Sequence, residues 1–186
     1  MSTLIEYDKA LFLFLNGLGS EPWDGFWMFM TDKLHSIPLY LILVLVSIKK
    51  FGLKATLITL FMLIILITIT DQLSNAFKYG FARLRPCYDE SIMEKMRLVR
   101  PTCGGRFSFF SGHAVNASAL ATFFSLIFFP YYKWLGLFLG VWAFLVAYSR
   151  IYIGVHYPLD ILTGISIGMF SGWVFYKFRN KVGELL

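Results

Sequence analysis

Residues 149–160 read Ser-Arg-Ile-Tyr-Ile-Gly-Val-His-Tyr-Pro-Leu-Asp and interrupt an otherwise apolar third of the chain. Arg150, His156 and Asp160 are costly in hydrocarbon unless they are paired or take part in chemistry, so the stretch indicates a functional site. Pro158 favours the first turn of a helix, which places Asp160 near the positive end of that helix, one turn after His156. The carboxylate can then hold one imidazole nitrogen and leave the other free to attack. The alternative is a charged patch at a helix start, with Arg150 extending towards water.

The composition around this stretch is typical of a membrane protein. Of the 186 residues, 58% are hydrophobic and 19% aromatic, which is more than a soluble core of this size needs, and the apolar residues fall in blocks. We therefore predict one all-α domain, residues 1–186, built as a multi-pass transmembrane helical bundle of about five to six spans. The basic residues behind the net charge of +6 lie beside apolar blocks or within the candidate site. This placement favours the lipid bilayer over nucleic acid as the partner.

Residues 1–35 contain no clear membrane span. An apolar run over residues 10–15 is followed by a Gly-rich break, and residues 23–30 (WDGFWMFM) are aromatic but too short to cross a bilayer alone. Because Trp and Phe are favoured at membrane interfaces, we predict one or two interfacial helices here. A bent first transmembrane helix is the alternative. The start lacks the basic region and cleavage site of a secretory signal, which predicts that it stays in the mature protein.

Five transmembrane spans are predicted from the apolar blocks, although the first is short for a bilayer that needs about 20 residues. They cover about residues 36–47, 53–77, 113–129, 134–149 and 158–178. The last two turns of the second span carry polar residues that we expect to face other helices rather than lipid. These residues are Asp71, Gln72, Ser74 and Asn75.

The distribution of lysine and arginine predicts the orientation of the bundle. Five spans place three groups of basic residues on one side, which should be cytoplasmic and should include the C-terminus. The groups are Lys49, Lys50 and Lys54; Lys133; and Lys177, Arg179 and Lys181. Residues 78–112 and the turn before His156 then share the outer face. The loop 78–112 is basic too, and we attribute that exception to its length and to a role in binding anions.

A first polar cluster occupies residues 78–86 (KYGFARLRP), where the second span meets water. Lys78 and Arg85 can converge on one phosphate, the lysine as a point charge and the guanidinium as a bidentate donor. The alternative is a pair of basic side chains that only extend from a helix end to water.

A second polar cluster, residues 108–113 (SFFSGH), lies at the start of the third span and ends in Ser111-Gly112-His113. A serine and a glycine at a helix start present a hydroxyl and free backbone N–H groups to an anion. His113 can act as a general acid towards a leaving oxygen, because its ordinary pKa is near neutrality. The alternative is an N-cap serine beside an interfacial histidine.

Together the three clusters resemble the motifs of the type 2 phosphatidic acid phosphatase (PAP2) superfamily, in its small bacterial membrane branch. Residues 78–86 have the form K-x6-R-P, residues 111–113 match the last three letters of P-S-G-H, and residues 149–160 have the form S-R-x5-H-x3-D. The resemblance implies a helical core shared with vanadium haloperoxidases, a metal-free phosphatase mechanism and an active site at the outer face of a bacterial inner membrane. Phe110 stands where the family usually has proline, which puts the shape of that loop in question.

The resemblance also implies a role for each matching residue. His156 is the nucleophile that forms a phosphohistidine, Asp160 orients it, and His113 protonates the leaving oxygen and later activates water. The phosphate oxygens are held by Lys78, Arg85, Ser111, Gly112 and Arg150. Because no carboxylate or cysteine cluster has metal-ligand spacing, we predict no metal and no cofactor.

Cys87 and Cys103 are the two cysteines, and both lie in the loop predicted to face outward. Cys87 follows Arg85 and Pro86, and Cys103 precedes the Ser111 cluster, so a bridge would connect two parts of the phosphate pocket. An oxidising compartment permits a disulfide, and we predict one. A pair of free thiols is the alternative.

The predicted function is hydrolysis of a phosphate monoester or pyrophosphate from a membrane lipid. Undecaprenyl pyrophosphate, lipid A, phosphatidylglycerophosphate and phosphatidate all remain open as substrates. A transporter that binds a lipid headgroup without hydrolysis is the alternative from another class. A vanadate-dependent peroxidase shares the anion pocket, but the multi-spanning character argues against it.

Overall fold

A computed structural model describes residues 2–184, and in that range the chain forms helices, short 3-10 turns and loops. We number the helices in chain order. They are α1 (Ser2–Gly17), α2 (Glu21–Thr31), α3 (Ile37–Phe81), α4 (Gly112–Phe128), α5 (Lys133–Tyr152) and α6 (Pro158–Glu184). Single 3-10 turns occupy Lys33–Ser36, Pro86–Tyr88 and Met93–Lys95. The predicted all-α class is confirmed.

Helix α3 is a hairpin of two arms rather than one long rod. Gly52 breaks it with φ 79° and ψ 171°, a conformation that a residue without a Cβ adopts at little cost. Tyr40 from the first arm and Ile67 from the second line the same cavity, so the arms run antiparallel. The reversal lies between the first two predicted spans, directly after the lysines that close the first.

The two arms of α3 and helices α4, α5 and α6 correspond to the five predicted spans. The chain is a multi-pass membrane protein. Within residues 2–184, three helical stretches are long and apolar enough to cross a bilayer: Lys33–Phe81, which contains both arms of α3, Lys133–Tyr152 and Pro158–Val182. Several predicted ends were too short. The second arm of α3 continues to Phe81, α5 continues to Tyr152, and α6 extends well beyond residue 178.

The polar residues near the end of α3 only partly behave as predicted. Ser74 is buried and Asp71 is partly buried, as expected of groups that face other helices. Gln72 and Asn75 are exposed, so the prediction was wrong for these two. At about 100° per residue, Asp71 points about 60° from the buried Ser74, whereas Asn75 and Gln72 point about 100° and 160° from it and so turn away from the buried side.

Helix α4 is the central helix, and glycines let α6 approach it closely. A Cβ added to Gly164, Gly168 or Gly172 would lie 2.9, 2.4 and 2.4 Å from carbonyl oxygens of α4, those of Ser111, Val115 and Ala119. Three glycines four residues apart therefore form a flat strip against which the backbone of α4 packs. The strip fixes the depth and register of α4, whose first turn carries the predicted anion site.

The N-terminal segment forms two helices, one of the arrangements predicted for it. Phe12 of α1 is buried edge-on against Tyr157, with ring centroids 5.5 Å apart. The Asn16 side-chain amide donates to the carbonyls of Arg97, Ile151 and Tyr152 at 2.9–3.1 Å. Helix α1 is thus fixed to the end of α5 and to the loop over the site. The interfacial location of α1 and α2 stays a prediction.

Candidate active site

The turn between α5 and α6 holds His156 next to Asp160. His156 Nδ1 lies 3.2 Å from Asp160 Oδ2, and the same oxygen accepts the backbone N–H of Tyr157 at 2.9 Å. The backbone N–H of His156 donates to the carbonyl of Arg150 at 3.2 Å, which closes the turn after α5. His156 is 2% and Asp160 0% exposed. The pair therefore has a fixed geometry in which Nε2 is the nitrogen that Asp160 leaves free.

Ser111 and Gly112 bring the start of α4 to this pair and to the end of α3. The backbone N–H of Ser111 donates to the carbonyl of Asp160 at 3.2 Å, and its hydroxyl accepts the N–H of Ala114 at 3.4 Å as an N-cap. A Cβ on Gly112 would lie 3.7 Å from Lys78 Nζ. Residues from the first and second clusters thus meet, although 33 positions separate Lys78 from Ser111 in the chain.

Arg85 is held by the loop that the cysteines close. Its Nη1 donates to the carbonyl of Cys103 at 2.6 Å, and its Nε donates to that of Phe107 at 3.2 Å. Cys87 and Cys103 are paired, with Cα atoms 6.2 Å apart, a separation that a disulfide spans. Burial and the neighbouring charge of Arg100 lower the pKa of the Arg85 guanidinium. The carbonyl oxygens stabilise this buried cation and fix its direction.

Arg150 is 3% exposed in the last turn of α5. Its Nη1 donates to the Thr31 hydroxyl at the end of α2, and its Nε has no hydrogen-bond partner among the described residues. A buried guanidinium N–H without a partner is rare, because its desolvation is uncompensated. An anion at this point would supply the missing acceptor.

Three cations act on the imidazole of His156. Burial, together with the charges of Arg85, Arg150 and Lys78, lowers its pKa well below the usual range. The imidazole is therefore neutral near pH 7, as a nucleophile must be. The same three cations place positive charge near His156, where it could stabilise a dianionic phosphate.

His113 faces a separate cavity of about 220 Å³ in the bundle. Asp71 and Asn116 line its wall, and the Asn116 amide donates to Asp71 Oδ1 at 2.7 Å. Lys33 stands at the cavity, and the remaining lining is mostly apolar. Thr31, whose hydroxyl accepts from Arg150 Nη1, also lines this cavity, so the cavity lies next to the last turn of α5.

Two residues that the sequence analysis did not select, Arg83 and Asp8, are linked to Asp160: Arg83 contacts Asp160, and Asp8 contacts Arg83. Arg83 Nη1 lies 3.4 Å from Asp160 Oδ1, and Arg83 Nη2 donates to Asp8 Oδ2 at 2.7 Å. Arg83 lies in the same basic cluster as Arg85, residues 78–86, so the sequence offered a reason to consider it. Asp8 is far from every motif, and nothing in its local sequence connects it to the site.

The structure brings all of the predicted site residues to one end of the bundle. A transmembrane bundle that holds a buried His–Asp pair among lysine and arginine side chains has the features that phosphoryl transfer by a membrane-embedded enzyme requires, a candidate nucleophile and fixed positive charge. Residues 54–184 match the family model described as the PAP2 superfamily. The chain belongs to this superfamily.

Three curated relatives are named as phosphatases of lipids, and two of them are similar over nearly the whole chain. The lipid A 4'-phosphatase of Bacteroides thetaiotaomicron is 37% identical over 96% of this chain and 80% of its own. That of Porphyromonas gingivalis is 35% identical over 95% of this chain and 75% of its own. Phosphatidylglycerophosphatase B of Bacillus subtilis is 31% identical over 65% of this chain and 59% of its own.

Solved structures agree with this assignment. The transmembrane PAP2 type phosphatidylglycerolphosphate phosphatase of Bacillus subtilis superposes with a TM-score of 0.75, covering 98% of this chain and 89% of that one, and at 23% identity it supports the fold. Aquifex aeolicus LpxE superposes with a TM-score of 0.69 at 27% identity, covering 90% and 93%. The predicted enzyme class, a PAP2-type lipid phosphatase, is confirmed. The transporter alternative is not favoured.

Proposed function

We propose that this protein removes a phosphate monoester from a lipid A-type glycolipid, with His156 as the nucleophile. The observation that carries the chemistry is the buried His156–Asp160 pair with Nε2 left free amid the cations of Lys78, Arg85 and Arg150. The choice of lipid is supported by the two lipid A 4'-phosphatases that are similar over nearly the whole chain.

In the first step, Nε2 of His156 attacks phosphorus and the bond from phosphorus to the lipid oxygen breaks. His113 gives a proton to that oxygen, so the lipid leaves as a neutral alcohol. Asp160 stabilises the positive charge that develops on the imidazole through Nδ1. In the second step, water attacks phosphorus, His113 takes its proton, the N–P bond breaks and inorganic phosphate departs.

The charge in the transition state lies on the three equatorial phosphate oxygens. Lys78, Arg85 and Arg150 supply positive charge, and the unpaired Nε of Arg150 is a donor already in place. The Ser111 hydroxyl and the N–H of Gly112 add two donors at the positive end of α4. Two carbonyl oxygens hold Arg85, and burial and the Thr31 hydroxyl hold Arg150, before the substrate binds. Little reorganisation of these two groups therefore accompanies the reaction.

The phosphate site belongs on the outer, periplasmic face of a bacterial inner membrane, with the C-terminus in the cytoplasm. The lysine and arginine distribution supports this orientation, and the pairing of Cys87 with Cys103 fits an oxidising compartment. Helices α1 and α2 lie at the interface on that side. Exposed aromatic residues of α2, including Trp23 and Phe29, are suited to that depth.

A phosphate-release assay on the purified full-length protein in detergent tests the proposal. The substrates are bis-phosphorylated lipid A, undecaprenyl pyrophosphate, phosphatidylglycerophosphate and phosphatidate, each with and without EDTA, and His156→Ala is the control. We expect lipid A to have the highest kcat/KM, mass spectrometry to show loss of one phosphate, EDTA to have no effect, and vanadate to inhibit. A preference of tenfold or more for another lipid would overturn the choice of substrate, and Mg²⁺-restored activity after EDTA would overturn the mechanism.

A further inference from the structure

Helix α1 lies outside the residues that match the family model, yet it brings a carboxylate to the back of the site. Asp8 is 4% exposed. Its Oδ2 accepts from Arg83 Nη2 at 2.7 Å, and its Oδ1 accepts the backbone N–H of Leu159 at 2.9 Å. Both oxygens are therefore engaged, one with a cation and one with the first turn of α6, which is the turn that carries Asp160.

Arg83 connects this carboxylate to the proposed catalytic pair. One guanidinium nitrogen contacts Asp8, and the other lies 3.4 Å from Asp160 Oδ1. The face of the guanidinium stacks on the Tyr157 ring, 3.9 Å from its centroid. Asp160 Oδ2 is occupied by His156 and the Tyr157 N–H, so each oxygen of Asp160 has its own partners. The planar fork of arginine is suited to bridging two carboxylates while it stacks on an aromatic ring.

The next residue of α1 fixes the other side of Tyr157. Lys9 Nζ lies 2.9 Å from Asp89 Oδ2, and the Tyr157 hydroxyl donates to the same oxygen at 3.0 Å. Burial alone would raise the pKa of Asp89, but hydrogen bonds from Ser91, Lys9 and Tyr157 lower it to about 2. Two adjacent residues of α1 with opposite charges thus hold the residue that lies between His156 and α6.

We propose that Asp8 and Arg83 are positioning residues for the His156–Asp160 pair, and that α1 is a working part of the active site. The inference rests on the proposed function of that pair. Asp8 holds the start of α6 through Leu159 and limits how strongly the charge of Arg83 acts on Asp160. Arg83 in turn fixes Asp160 so that Oδ2 stays on Nδ1 of His156.

This arrangement sets the direction in which charge changes alter the titration of His156. Protonation of His156 causes the fall of kcat/KM at low pH, which we call the acid limb. Arg83→Gln removes a cation beside Asp160, so protonated His156 becomes easier to form and the acid limb moves to higher pH. Asp8→Asn removes the carboxylate that offsets part of the charge of Arg83, so protonated His156 becomes harder to form and the acid limb moves to lower pH. The other titratable or charged groups near His156 are the same in both variants. They are Lys78, Arg85, His113, Arg150 and Asp160.

The experiment compares Asp8→Asn and Arg83→Gln with Glu6→Gln, in full-length protein in detergent. Glu6 is an exposed carboxylate on α1 with no hydrogen bond among the described residues, so its change removes the same charge from the same helix. We expect kcat to fall about 10- to 100-fold in the first two variants with KM changed less than threefold, and to stay within twofold in Glu6→Gln. The acid limbs should shift in opposite directions, by on the order of half a pH unit each.

The double variant Asp8→Asn/Arg83→Gln separates positioning from a general loss of structure. If Asp8 acts through Arg83, the loss of kcat in the double variant is smaller than the product of the two single losses. Multiplicative losses with no movement of either limb would overturn the proposal, as would Asp8→Asn activity within twofold of wild type. If Asp8→Asn fails to fold, Arg83→Gln and Arg83→Lys decide. An unchanged acid limb in Arg83→Gln, or full activity in both, overturns the proposal.

Wild type and Glu6→Gln test the proposed function, and the variants at Asp8 and Arg83 test the positioning role. If wild type and Glu6→Gln release no phosphate from any of the lipids, the proposed function fails and the positions of Asp8 and Arg83 are not at issue. If both are active while the variants at Asp8 and Arg83 behave like them, the function stands and the positioning role fails.

Discussion

His156 occupies the position on which the proposed chemistry depends, because it is the one of the three histidines that is buried and also contacts a carboxylate. His156→Ala removes the nucleophile and leaves the helix packing intact. We expect kcat to fall by at least about 10³-fold while the purified protein elutes as wild type does. Activity within tenfold of wild type would contradict the assignment.

His113 is predicted to act as a proton donor, so its importance depends on the leaving group. His113→Ala should lower kcat by about 10²- to 10⁴-fold on a natural lipid. The loss should be much smaller on an aryl phosphate whose phenolate needs no proton. Parallel assays of both substrates test this, and an equal loss on the two would show that His113 is structural.

The depressed pKa of His156 predicts the acid side of the pH profile. Burial and the charges of Arg85, Arg150 and Lys78 favour the neutral imidazole, so less of it is protonated at a given pH than in an ordinary histidine. After correction for the ionisation of the substrate phosphate, the midpoint of the acid-side fall in kcat/KM should lie below 6.5, the ordinary pKa of a histidine. A midpoint at or above this value would show that the cations do not act on the free enzyme as described.

At the level of helices, the glycine strip of α6 predicts that a methyl group added there disturbs the packing of α6 on α4. A Cβ at Gly168 would lie 2.4 Å from the Val115 carbonyl oxygen, and a helix backbone cannot move aside locally. Gly168→Ala should therefore displace α4, destabilise the protein by about 1–3 kcal/mol and reduce activity through the Ser111 turn. Gly140→Ala on α5 is the matched control, because no atom lies within 4 Å of the added methyl. Thermal unfolding in detergent compares them, and equal midpoints would contradict the close contact.

A disulfide between Cys87 and Cys103 is expected to stabilise the loop that holds Arg85. The loop between them spans 16 positions, and closing a loop of that size contributes about 3 kcal/mol in the chain-entropy description. Because the Cys103 carbonyl holds Arg85, loss of the bond should also raise KM. Mass spectrometry of non-reduced, alkylated protein should find neither cysteine alkylated. Alkylation of both without reductant would exclude the bond.

For the whole molecule, the orientation in the membrane can be tested with two single cysteines. Glu94→Cys lies in the loop 78–112, and Lys49→Cys lies near the tip of the α3 hairpin, and both positions are exposed. A membrane-impermeant maleimide is added to spheroplasts, whose outer membrane has been removed and whose inner membrane is intact. It should label Glu94→Cys directly, and it should label Lys49→Cys only after lysis. The unsubstituted protein is the control for background from the native cysteines. The reverse pattern would place the site in the cytoplasm.

The membrane class, the five spans and the three motifs follow from the sequence, since apolar blocks and dense clusters of charge are local features. Hydrocarbon excludes unpaired polar groups, so residues such as Arg150 and His156 mark a site without any knowledge of the fold. The ends of the helices were less predictable. The second arm of α3 continues past Lys78 to Phe81, because the end of a helix is set by contacts that local composition does not encode.

The tertiary structure alone decided how α1 relates to the site. Asp8 is separated from Arg83 by 75 positions and from Leu159 by 151, and no local pattern distinguishes it from the exposed Glu6. Only when α1 packs through Phe12 against Tyr157 does its carboxylate reach Arg83 and the first turn of α6. The sequence by itself determined which residues carry the proposed chemistry, because chemistry requires particular side chains. The fold decided which residues hold them, because positioning depends on distances across the folded chain.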